Sequence, residues 1–173
     1  MSMDTSQWAI DIRLDNTHLK EFDVASILAQ ITHQFPELGQ KRFDLYTILS
    51  ELYSNALEHG ILKLDSNLKH SITGMAHYYA EREKRLKMLT SGFITLKVTL
   101  KATDKGPGLL FQMADSGEGF DHAIQVALSK KPEGTDTRLS GRGMTLVAFL
   151  CESVQYLGNG NQVEALYVWS GSK

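Results

Sequence analysis

The chain has 173 residues, 42% of them hydrophobic and 22% charged, with 14 Gly and 3 Pro. This is the mixture of an ordinary globular domain, long enough to bury roughly 70% of the surface its unfolded form exposes, and it excludes disorder, collagen and coiled coil. Lys and Arg number 18 against 20 Asp and Glu, a net charge of −2, so no cationic surplus exists to neutralise a nucleic-acid backbone. The single Cys151 can form neither an internal disulfide nor a cysteine-based zinc site, and no apolar run approaches the ~20 residues that cross a bilayer. Asp4, Asp11 and Asp15 stand where a secretory leader would be apolar. These features point to a cytoplasmic domain that binds neither nucleic acid nor membrane.

Trp8, Ile10, Ile12 and Leu14 alternate with polar neighbours, which predicts a strand over 8–14 with one buried face. Apolar residues at helical spacing from Leu19 to Ile31 predict a helix over 16–33, ended by Pro36 and Gly39. A second helix is expected over 41–59, stopped by Gly60, with Leu45, Ile48, Leu49, Leu52 and Ala56 as its core stripe. Residues 61–73 read as a loop. The helix after it carries Met75, Tyr78, Arg82, Leu86 and Leu89 on one stripe and Glu81, Glu83, Arg85 and Lys87 opposite, a solvated face supported by a Glu83–Lys87 pair. Strict alternation from Ile94 to Thr103 gives the clearest strand, and a Gly- and Pro-rich turn at 104–108 leads to its hairpin partner over 109–114. A helix is expected at 122–128, a polar connection at 129–140, a helix at 142–156 with Leu146, Phe149, Leu150 and Val154 inward, and a last strand at 163–170. The order implies an α+β fold, a two-layer α/β sandwich with a mixed, mostly antiparallel sheet and helices on one face. The whole of 1–173 is expected to form one domain.

Three segments ask for more than packing. On the second helix, Thr47, Glu51, Asn55, Glu58 and His59 recur on the side opposite the core stripe, so a carboxylate and an amide share one space. A merely wet amphipathic face gives the same pattern. In Asp115-Ser-Gly117-Glu-Gly119 an apolar strand ends in a carboxylate followed by alternating glycines, the pattern of a ligand site or of an ordinary turn. In Gly141-Arg142-Gly143, glycines precede an apolar helix, where bare backbone amides could receive phosphate oxygens or simply cap the helix.

The order of the three, E-x-x-x-N on a helix, D-x-G-x-G at a strand end, a polar linker and then G-x-G at a helix start, resembles the Bergerat ATP-binding fold of histidine kinases, DNA gyrase and heat-shock ATPases. ELYSNALEHG, DSGEGFD and GRGMTLVAFLCESVQY look closest to the anti-sigma-factor serine kinases of bacterial partner switching. The longer stretch at about 62–90 is similar to the ATPase domain fused behind response-regulator and PP2C-type phosphatase domains. The resemblance implies that Asp115 accepts from the adenine amine and that Gly117 and Gly119 pass under the nucleotide. It further implies that residues 120–140 form an ATP lid, with Arg138 a candidate phosphate contact, and that Gly141, Arg142 and Gly143 cradle phosphate. Asn55 would hold Mg²⁺, Glu51 would take the proton of the attacking hydroxyl, and His59 would lie near the phosphates.

The implied function is an ATP- and Mg²⁺-dependent serine/threonine kinase acting on a STAS-type anti-anti-sigma partner, able also to hold a sigma factor, and a homodimer is among the implied states. The alternative is a non-catalytic module whose nucleotide-gated surface sequesters a sigma factor or its antagonist. Two features depart from the pattern. None of the 6 histidines is followed by the residues of a histidine phosphoacceptor, and the last strand lacks the Gly-Thr that touches adenine in this fold, with Asn161 standing where its hydroxyl would be.

Overall fold

A computed structural model describes residues 8–117 and 139–170. Strand β1 (Ala9–Asp15) leads into a short helix α1 (Asn16–Leu19), then α2 (Ala25–Gln34), a 3₁₀ turn (Pro36–Lys41) and α3 (Arg42–Ser54). A π-helical turn (Asn55–Ile61) extends α3, and a 3₁₀ turn (Ser66–His70) precedes α4 (Ile72–Met88). The remaining elements are β2 (Phe93–Thr103), β3 (Gly106–Asp115), α5 (Leu139–Leu150), β4 (Ser153–Leu157) and β5 (Gln162–Val168). The strands form one sheet in the order β1-β2-β3-β5-β4, and every described pair is antiparallel.

Period-two alternation puts Ile94, Leu96 and Val98 of β2 on the same face as Leu109, Phe111 and Met113 of β3 and Val163, Ala165 and Tyr167 of β5, all of them buried. On that face lie Leu45, Ile48, Leu49 and Leu52 of α3, fully buried, with Ile27 and Ile31 of α2 and Met144 and Val147 of α5. Each such side chain is worth roughly 1.5–3 kcal/mol of transfer free energy. Packing, rather than helix propensity, therefore holds α3 against the sheet, and the irregular turn that follows it is carried by this anchorage. Among the described residues no helix is long and apolar enough to cross a membrane.

Several boundaries depart from the sequence pattern. The helix expected over 16–33 is two. Asp15 caps α1 by accepting from the Thr17 and His18 amides at 3.0 Å, and Asp23 opens α2 by accepting from the Ala25 amide at 2.9 Å. Apolar residues keep one period across the break, so spacing alone cannot reveal it. The hairpin turn is only Asp104-Lys105; Gly106 and Gly108 belong to β3, where Gly108 pairs with Lys101 and Val168. The expected helix over 142–156 ends at Leu150, and Val154 and Tyr156 lie on β4. Within α5 it is Met144 and Val147 that turn inward, whereas Leu146 and Phe149 are exposed. Residues 66–70, expected as loop, form a 3₁₀ turn. The helix expected at 122–128 lies outside the described residues, as do residues 120–138 of the expected lid, Arg138 among them. Residues 139 and 140 already belong to α5.

Candidate functional site

Hydrogen bonding along the polar helix changes period at Asn55. The Leu62 amide donates to the Leu57 carbonyl at 2.8 Å, five residues back rather than four, and the turn continues through Gly60 instead of stopping there. Single π turns are rare and concentrate at functional sites. Its wider winding keeps Asn55 and His59 on one wall of a cavity of about 170 Å³, which Gly60 also lines. Glu58, expected beside them, is turned away and buried against α4, where its carboxylate accepts from the Tyr78 hydroxyl. Thr47 is likewise withdrawn, its hydroxyl donating to the Phe43 carbonyl at 2.8 Å.

The facing wall is the end of β3. Asp115 is fixed there by its own backbone: its amide donates to the Asn161 carbonyl at 2.9 Å, and the Asn161 side chain donates back to the Asp115 carbonyl at 3.2 Å. The carboxylate accepts from the Gly117 amide through Oδ1 at 2.8 Å. Burial pushes its pKa up to about 6, with the Gly117 amide working in the opposite direction.

Gly60 and Gly117 are required here by contact rather than by conformation, since neither has a positive φ. A methyl group at Gly60 would overlap the Asp115 carboxylate, and one at Gly117 would overlap the Gly60 carbonyl oxygen. The two cases differ in what must yield, the Asp115 carboxyl group in the first and backbone in the second. Gly60→Ala is accordingly expected to displace the Asp115 carboxylate from the Gly117 amide, at a smaller loss of melting temperature than Gly117→Ala. Nucleotide titration alongside thermal unfolding of both variants checks this, expecting a several-fold loss of affinity in Gly60→Ala and the larger loss of stability in Gly117→Ala.

His59 closes the other side. Its Nδ1 donates to the Leu64 carbonyl at 3.1 Å, which fixes the orientation of the ring. Glu51 lies one turn before Asn55, half-buried, and does not line the cavity; its carboxylate instead rests against the backbone of Gly143, where a methyl group would run into Oε2. Burial raises the pKa of Glu51, opposed by the charge of Lys69 and assisted by that of Glu58. Gly141, Arg142 and Gly143 fall in the opening turns of α5 rather than ahead of it. The Arg142 side chain and Gly119 lie outside the described residues.

Asn55, His59 and Asp115 are thus gathered around one space, Gly117 lies against Asp115 and the Gly60 carbonyl, and Glu51 meets Gly143. Spacing did not reveal Gly60 as a contact residue, or Lys69, Tyr78 and Arg82 as partners of Glu58. The only signal for Gly60 was its place directly after the polar face.

The donor chemistry suits a nucleotide. A half-buried carboxylate is a strong acceptor for an exocyclic amine, and the cradle beneath it is one that any Cβ would fill. No cluster of three or more His, Cys, Asp or Glu able to hold a metal exists among the described residues. A cation here would depend on the hard oxygen of Asn55 together with oxygens of the ligand itself.

A two-layer sandwich holds this carboxylate at a strand mouth, facing a polar helix, a geometry suited to a nucleotide. Residues 12–166 match the model of the histidine kinase-like ATPase domain, and the chain belongs to that family. No curated protein matches it.

Proposed function

We propose that the domain is a protein serine/threonine kinase of a bacterial partner-switching system, moving the γ-phosphate of ATP to a hydroxyl of a STAS-type anti-anti-sigma protein. In the same role it can act as an anti-sigma factor. The observation that carries this reading is Glu51: a half-buried carboxylate of raised basicity, one turn before Asn55 and in contact with Gly143 at the opening of α5. A module that only bound nucleotide would have no use for a base at that point.

In this reading Asp115 accepts a hydrogen bond from the adenine amine and so fixes the purine end, with Gly60 and Gly117 keeping the approach open. Asn55 offers its side-chain oxygen to Mg²⁺, which when bound neutralises charge on the phosphates. Gly141, Arg142 and Gly143 hold the phosphate tail near the start of α5, where unpaired amides and the helix dipole favour anions. Glu51 takes the proton of the attacking hydroxyl, and its partial burial makes it a better base than an exposed glutamate. His59 stands at the cavity wall, its ring held by the Leu64 carbonyl.

The experiment is incubation with γ-labelled ATP, Mg²⁺ and a candidate STAS-type protein, followed by mass spectrometry of that protein. Label on one of its Ser or Thr residues supports the kinase. Nucleotide binding without any transfer would leave the non-catalytic sequestering module in its place.

A further inference from the structure

The stretch between the π turn and β2 joins the core through Leu62, Leu64 and Tyr78, and it is also tied to the candidate site. Of the 17 residues of α4 only Tyr78 is buried, and Ile72, Met75 and Tyr79 on the same helix are exposed. A helix retained for core stability would bury a continuous stripe. Besides an exposed bond from Lys20 Nζ to the Lys87 carbonyl, α4 has two polar anchors that end on the segment lining the cavity.

The first anchor is Glu58 in the middle of the π turn. Glu58 is 7% exposed, and its carboxylate is met by the Tyr78 hydroxyl, by Lys69 Nζ at 3.7 Å and by Arg82 Nε at 3.5 Å. Lys69 also stands 4.4 Å above the Tyr78 ring. A buried ion pair is weak evidence for stability, because apolar side chains of the same volume often serve as well. It does fix direction, since Glu58 cannot swing back toward Asn55 without abandoning the phenol and leaving a charge unpaired. The second anchor is Arg85, whose guanidinium donates to the carbonyls of Leu62 at 2.8 Å and Lys63 at 2.9 Å. Between them Lys63 holds φ 53, the left-handed region that a residue with a Cβ adopts at a cost. Lys63 lines the cavity, and the next residue, Leu64, supplies the carbonyl that orients His59.

We propose that Tyr78 and Arg85 are positioning residues for the cavity: through them α4 holds the π turn and the Lys63 loop in the shape that accepts nucleotide. The inference rests on the reading of that cavity as the nucleotide site. Displacing α4 would release Glu58 and Lys63 together, and with them the placement of Asn55 and His59.

The test uses the full chain with Tyr78→Phe, Arg85→Met and, as a control on the exposed side of α4, Lys84→Met. Hydrogen exchange of the nucleotide-free proteins is read at the amides of Leu62 and Leu64, which bond to the Leu57 and Glu58 carbonyls, both at 2.8 Å. Titration with Mg-ATP is read well below the melting temperature of each variant. Tyr78→Phe and Arg85→Met are expected to speed exchange at both amides and to raise Kd about ten-fold, as the control stays at the wild-type value. A lower melting temperature with unchanged exchange at these amides and unchanged Kd overturns the inference, because α4 would then only stabilise the fold. Failure of the wild-type protein to bind ATP would count against the nucleotide reading alone, and the exchange comparison would still decide whether α4 shapes the cavity.

Discussion

Glu51→Gln is expected to slow phosphoryl transfer about 10²- to 10⁴-fold while leaving the affinity for ATP nearly unchanged. Glutamine has the shape of glutamate and can keep the contact with the Gly143 backbone, so the junction between α3 and the start of α5 survives. What disappears is the basic lone pair that receives the hydroxyl proton. Glu51 does not line the cavity that contains Asn55 and Asp115, which is why the loss should fall on the rate and not on Kd. Single-turnover transfer with saturating ATP, paired with a direct binding measurement, separates the two. A Kd that rises in step with the lost rate would make Glu51 a binding residue and remove the base from the mechanism. The pH profile carries a second mark. Since burial lifts the pKa of Glu51, the acid-side loss of activity should set in at a higher pH than an exposed glutamate would give.

How far the sequence revealed this arrangement depends on which physical constraint each residue obeys. β1 and β2 were legible because one face of each is buried, and a period of two leaves no alternative reading of Ile10, Leu14, Leu96 and Val98. The core stripe of α3 was legible for the same reason at a period near 3.6. The α-to-π change at Asn55 was not, because it lies in the hydrogen-bond pattern and leaves the composition untouched. Extrapolating α-helical spacing through it placed Glu58 with Glu51 and Asn55, whereas the wider turn sends Glu58 to Tyr78. Gly60 was visible only as a helix breaker, since its reason for being glycine is a carboxylate on a distant strand. Arg82 and Tyr78 did fall on one predicted stripe and both meet the buried Glu58, whereas Met75 on the same stripe is exposed. Val154 and Tyr156 show the reverse failure, where a short edge strand after α5 carries apolar residues at spacings a helix would also use.

Asp115→Asn is expected to weaken ATP binding by roughly 1–3 kcal/mol, or about five- to 150-fold. The Gly117 amide already occupies Oδ1 at 2.8 Å. An asparagine that keeps this bond must place its oxygen there and its amide nitrogen at the other position, so a donor faces the donor of the purine amine. The effect should depend on pH in a way that the substitution abolishes. In the folded, nucleotide-free protein Asp115 titrates at about 6, raised from 3.8 by burial, so the folded chain holds this proton more tightly than the unfolded chain does. Its ionised form therefore detracts from stability above about pH 6, and that penalty is relieved as pH falls through 6 toward 3.8. Affinity moves the opposite way, because the charged carboxylate is the stronger acceptor and protonation weakens the grip on the amine. Between pH 7.5 and pH 5.5 the wild-type protein should gain stability relative to D115N while its advantage in ATP affinity shrinks. Taking the ratio of the two dissociation constants at each pH cancels the titration of the nucleotide's own phosphate. A ratio that stays constant across that interval would mean that the purine is held by groups other than this carboxylate.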